Sequence, residues 1–191
     1  MNEKLEPFVL ASGSPRRKLL LKRVVPRFLV RVSRVPEPPP RAGVDVKRYV
    51  TGLARRKALA VARNVSRGLV LGADTEVVWR GNVFGKPADV ADARRMLSEL
   101  SGTWHDVYTG LALAVRPGRR VWTGVYRTRV KMRSFSDAQL DRWSKKNHDK
   151  AGAYAAQARG NPFVERYKGE YENVVGLPLR GLRFLLKKVK G

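Results

Sequence analysis

The chain has 191 residues, 43% of them apolar, with 40 Lys+Arg against 16 Asp+Glu, two His and no Cys. That length and apolar content describe a folded body with a sizeable core, and the missing cysteines exclude disulfides, Cys-ligated metals and a thiol nucleophile. A net charge of +24 points to an anionic partner: nucleic acid, a membrane surface or a phosphorylated small molecule. Residues 7–11 read as a short buried strand that runs through Ser12-Gly13-Ser14 into a helix from Pro15 to about Val24. FLVRV at 28–32 is a second strand, and Val35–Arg41, with four prolines in seven residues, must be an extended loop. Asp45 caps a long helix to about Asn64, and residues 69–79 and 81–86 form a hairpin around Arg80-Gly81-Asn82. Asp89 caps a helix that stops at Gly102, and 107–115 pairs with 121–132 across Arg116-Pro117-Gly118. Ser136 and Gln139 make a capping box for a short helix to about Lys145. Glycine-rich strands are expected up to Gly176, and Leu177–Val189 closes the chain as a helix with Pro178 near its start. The order is that of an α/β protein with a mixed sheet.

The basic residues are spread through both halves, and no zinc-finger spacing, RNP-type pattern or heptad accompanies them. Nucleic acid is therefore left open as a partner without being favoured. No apolar run reaches the roughly 18 residues of a spanning helix, and MNEKLEP lacks an apolar signal core, so no membrane partner and a cytoplasmic location are expected.

Three places break the rules of plain packing. With Ser14 as N-cap and Pro15 at N1, Arg16 and Arg17 fall in the first helical turn, where cations oppose the helix dipole unless an anion sits there. Lys57 lies in the middle of the apolar stripe Val46, Val50, Leu53, Ala60 and Val61, where a charge calls for a paired carboxylate or a bound anion. Asp74 interrupts the apolar strand from Leu69 to Trp79, which suits a metal ligand beside phosphates or a base that activates water. Lys86 brings another cation to the same end of the sheet. His105, beside Trp104, reads as structural.

Seven blocks carry a family resemblance: LASGSPRRKLL at 10–20, LARRKA at 53–58, LGADTEVV at 71–78, GKPADVADARRMLSELSG at 85–102, HDVYTGLAL at 105–113, DKAGAY at 149–154 and NVVGLPL at 173–179. In their motifs and order they resemble the Maf-type nucleoside triphosphate pyrophosphatases, a family named for inhibition of septum formation. The resemblance spans about Phe8 to Leu186. It implies one domain over residues 1–191, with a twisted central sheet flanked by helices and two lobes around a nucleotide cleft, as in inosine triphosphate pyrophosphatase-like folds. The implied reaction is hydrolysis of a nucleoside triphosphate to monophosphate and pyrophosphate with Mg²⁺ or Mn²⁺, by a homodimer. Position by position, the resemblance puts the catalytic acid at Asp74 and substrate contacts at Ser12, Ser14, Arg16, Arg17, Lys57 and Lys86. Asp74 and Glu37 are the implied metal ligands, although VPEPPP replaces the family's usual Asp-Glu pair. Arg16, Thr75 and Gln157 match the specificity positions of the branch that acts on dTTP and UTP, modified pyrimidines included. A basic nucleic-acid-binding or regulatory protein with a vestigial hydrolase site is the alternative.

Overall fold

The computed structural model describes residues 6–41, 43–118, 120–146, 151–154, 156 and 162–190. Its centre is a mixed sheet of strands β1 (Phe8–Leu10), β2 (Leu29–Val30), β3 (Gly68–Trp79), β4 (Asn82–Phe84), β5 (Trp104–Arg116), β6 (Val121–Met132) and β7 (Val164–Lys168). The spatial order is β2-β1-β3-β5-β6-β7, with β4 added to the far end of β3. β1 is parallel to both β2 and β3, and every other pairing is antiparallel. The mixed sheet expected from the sequence is thus present. Helices α1 (Pro15–Lys22), α2 (Val46–Ala62), α3 (Val90–Leu100), α4 (Asp137–Ser144), α5 (Tyr171–Val175) and α6 (Leu179–Lys190) cover it.

Alternation along β3 assigns its two faces. Leu69, Leu71 and Ala73 join Phe8, Leu10 and Leu113 in a core with Leu21 of α1 and Leu182 of α6. Val70 points the other way and packs with Val9, Ala54, Ala58 and Ala112 under α2. Beyond these, Val77, Phe84, Leu97, Val107, Leu140 and Phe163 form a separate core at the opposite end of the long strands. The paired cores on the two faces of one end and the separate core at the other give the molecule its two lobes, and Asp74 to Glu76 lie between the two ends.

Local chemistry explains most boundaries. Ser14, Asp45 and Asp89 cap α1, α2 and α3 by accepting backbone N–H groups, and Ser136 with Gln139 closes the full capping box on α4. Trp79 pairs with Asn82 across a two-residue turn in which Arg80 has φ 48° and Gly81 φ 79°. Positive φ at both positions is the primed turn that matches strand twist. Two segments differ from the sequence expectation. The strand at 28–32 is reduced to Leu29–Val30, both exposed at the sheet edge. Among the described residues before Gly176 there is one strand, β7, and then the five-residue helix α5, which ends with Gly176 at φ 111°. A helix this short shows no 3.6-residue period, so its glycine flanks alone suggest strands and turns.

Candidate active site

Close approach of α2 to the sheet builds the site. A Cβ on Gly72 would lie 2.1 Å from the Ala54 carbonyl oxygen, and one on Gly110 2.5 Å from the Val50 carbonyl carbon. Gly110 pairs directly with Asp74 in the β3–β5 ladder. Two adjacent strands therefore lack side chains where the helix crosses, and α2 sinks onto them. Lys57 is carried on the buried face of α2 with Val50, Leu53, Ala54, Ala58 and Val61, and is itself only 6% exposed. It meets Asp74, 5% exposed, with Nζ 2.6 Å from Oδ1. The same Nζ lies 2.9 Å from Glu37 Oε2, on the proline-rich loop. The charge inside the apolar stripe is thus paired with two carboxylates, as burial demands.

Strand alternation also brings Glu76 to the Asp74 face. Burial, with the negative charge of Asp74, pushes its carboxyl up to about 8, opposed by Lys57 and Lys86. Among the described residues, Asp74 Oδ2 and Glu76 Oε2 are buried oxygens without a hydrogen-bond partner. Reading the sequence missed Glu76. The available signal was a second acid two positions after Asp74, hence on the same face of a buried strand.

On the opposite face, Arg17 ties three elements together. Its Nε donates to the Gly176 carbonyl at 2.9 Å, one terminal nitrogen donates to Ser12 Oγ at 3.3 Å, and the other to Thr75 Oγ1 at 3.1 Å. Burial lowers the pKa of this guanidinium, and the charges of Asp74 and Glu37 work against that. Thr109 Oγ1 gives its proton to the Asn173 carbonyl at 3.0 Å. It therefore accepts from Thr75, 3.0 Å away, while Thr75 accepts from Arg17. The Asn173 amide donates to the Val107 carbonyl and to Thr128 Oγ1. This chain runs from the first loop through the sheet to α5.

Ser12, Ser14, Arg16, Arg17, Glu37, Lys57, Asp74, Thr75, Glu76 and Lys86 all line one cavity of about 530 Å³. That volume suits a small-molecule ligand. The first loop, α1, β3, α2 and Lys86, two residues after β4, supply its polar side. Val77, Val107, Ala151, Tyr154, Val174 and Val175 line an apolar side. Every sequence-derived site residue converges here except Gln157, which lies outside the described residues. Behind the apolar side, His105 Nε2 meets the Tyr154 hydroxyl at 2.8 Å, and burial pushes the imidazole down to about 3. Neutral and buried, His105 holds a structural place, as its sequence context suggests.

The donor set fits a hard divalent cation, which takes carboxylate oxygens. Two buried acid oxygens here have no hydrogen-bond partner among the described residues. No group of three His, Cys, Asp or Glu able to cage a metal occurs among the described residues.

Residues 7–189 match the family model described as Maf-like protein. The chain is 43% identical over 186 residues to the dTTP/UTP pyrophosphatase of Pelotomaculum thermopropionicum, covering 96% of this chain and 97% of that one. It is 44% identical over 190 residues to the dTTP/UTP pyrophosphatase of Myxococcus xanthus, covering 98% and 95%. The structure of the Staphylococcus aureus Ham1 protein superposes with a TM-score of 0.52 over 95% of this chain and 98% of that one, at 13% identity, a likeness of fold alone. With nearly its whole length matched, the chain belongs to the Maf-like protein family.

Proposed function

We propose that this chain is a nucleoside triphosphate pyrophosphatase that hydrolyses dTTP and UTP, with modified pyrimidine triphosphates in the same class, to the monophosphate and pyrophosphate. The observation that carries the reading is one cavity joining a buried acid, Asp74, to Lys57, Arg16, Arg17 and Lys86 on one side and an apolar wall on the other. Full-length relatives named dTTP/UTP pyrophosphatase support the pyrimidine preference.

Phosphoryl chemistry asks the protein for positioning and charge stabilisation. In this reading Arg16, Lys57 and Lys86 grip the triphosphate together with Ser12 and Ser14 at the start of α1, a natural anion site. Arg17 holds that loop against Thr75 and Gly176 and adds its charge to the anion site. Water attacks the α-phosphorus, the bond from that phosphorus to the bridging oxygen breaks, and pyrophosphate leaves with the electron pair. Asp74 takes the water's proton on Oδ2, a role supported by that oxygen's lack of another partner. Glu37 and Asp74 would hold Mg²⁺ or Mn²⁺, with Glu76 beside them. When bound, the ion neutralises phosphate charge and lowers the pKa of water. The apolar wall with Tyr154 receives the base, and Arg16, Thr75 and Gln157 set its identity. Nucleoside triphosphate pools put the enzyme in the cytoplasm, acting as one domain in a homodimer. No helix among the described residues is long and apolar enough to cross a membrane.

Pyrophosphate release from a panel of nucleoside triphosphates, with and without Mg²⁺, tests this reading. Preference for dTTP and UTP is expected. Metal-supplemented enzyme that releases no pyrophosphate from any of them would refute it.

A further inference from the structure

We propose that Lys57 is an internal counter-cation that opposes divalent-metal binding at Glu37 and Asp74 until a triphosphate draws it away. Its ammonium is 2.6 Å from Asp74 Oδ1 and 2.9 Å from Glu37 Oε2. The Lys57 and Asp74 side chains are nearly sealed, at 8% and 6% exposure, whereas Glu37 is 47% exposed at the cavity mouth. The ammonium thus spans the two carboxylates that suit a metal. A dication held by the same pair would be close to Nζ, in surroundings where like charges repel several times more strongly than in water.

The neighbouring groups leave this task to Lys57. Arg17 is fixed by Gly176, Ser12 and Thr75, and its rigid fork cannot leave one acceptor without disturbing the others. Lys86 is exposed and sits after β4, across the cavity lining. Among the described residues, Lys57 combines a flexible four-carbon stem with contact to both acids. A triphosphate entering the cavity offers Nζ a new anionic partner and frees the carboxylates for the metal. Metal and triphosphate then favour one another's binding, and by linkage the coupling is the same in both directions. Only this triphosphate step rests on the pyrophosphatase reading. The antagonism between Lys57 and the metal requires no nucleotide.

Mn²⁺ titration followed by electron paramagnetic resonance, at pH 8 without nucleotide, separates the two. Lys57→Met should bind Mn²⁺ on the order of tenfold more tightly than the wild-type chain. Lys57→Arg, which keeps the charge, should bind as weakly as wild type. Equal or weaker binding by Lys57→Met overturns the proposal. Circular dichroism shows whether that variant folds. If it does not, wild-type protein carrying ¹³Cε-lysine is titrated with Mg²⁺, and Lys57→Arg identifies the Lys57 resonance. Movement of that resonance as the metal saturates is expected, and a resonance unmoved at saturation overturns the proposal. Wild-type protein that binds Mn²⁺ but releases no pyrophosphate would count against the proposed function alone.

Discussion

Asp74 divides its work between two oxygens: Oδ1 is tied to Lys57 and Oδ2 has no hydrogen-bond partner among the described residues. Asparagine keeps the shape and loses the charge, so Asp74→Asn should reduce turnover by about 10²–10⁴-fold. Lys57 retains Glu37 as a counter-ion in that variant, and thermal unfolding should show an intact cooperative transition. Arg17 poses the opposite case, a charged residue whose partners are largely internal. A lysine ammonium cannot reach Gly176, Ser12 and Thr75 together. Arg17→Lys should therefore cost about 1–3 kcal/mol in denaturant unfolding, along with its loss of activity. At His105, burial lowers the folded-state pKa from 6.5 to about 3. The unfolded chain then binds more protons across that window, so the stability His105 contributes is present above pH 6.5 and drains away as pH falls towards 3. Thermal midpoints measured from pH 7 to 4 should fall less steeply in His105→Phe than in wild type.

The helix α2 and the strands beneath it show how elements deliver these residues. Lys57 and Asp74 are anomalous in the sequence for the same reason: each is a charge in an apolar pattern. Their pairing depends on Gly72 and Gly110, because any side chain there would hold the helix away. Gly72→Ala should destabilise the protein by about 1–3 kcal/mol. It should also depress turnover beyond what the stability loss explains, since the Lys57–Asp74 distance opens; parallel unfolding and kinetic measurements separate the two effects. Capped helices and the Arg80-Gly81 hairpin are legible because their signals are local: a side chain one to three residues away, or a turn residue with positive φ. The five-residue α5 and the two-residue β2 are not. They are held by contacts with distant partners, such as Thr109 to the Asn173 carbonyl and the pairing of β2 with β1.

At the scale of the molecule, a charge of +24 announces an anionic partner without choosing it. The cavity narrows that choice to a ligand of small-molecule size lined by Arg16, Arg17, Lys57 and Lys86. Several other arginines are engaged elsewhere: Arg94 with Asp137 and Asp141, Arg95 with Asp92 and Glu99, Arg127 with Asp106. Exposed pairs of this kind contribute little stability, but they lower the density of unpaired positive charge at their positions. Binding to single- or double-stranded DNA should consequently be weak, indifferent to sequence and lost by about 0.2 M salt. A fluorescence-anisotropy titration across salt concentrations checks this. Tight binding that persists at higher salt would favour a nucleic-acid role.

Composition, periodicity and caps were enough to determine a mixed α/β fold and to mark Asp74, Lys57 and the SPRR turn as chemically misplaced. Each of those signals is carried by residues near one another in the chain. Tertiary structure alone decided which charges meet. Lys57 finds Asp74 17 residues away and Arg17 finds Gly176 159 residues away, while Glu76 turns towards the same cavity. Such encounters are set by strand register and by how closely a helix can approach two glycines, and those depend on the whole fold packing at once.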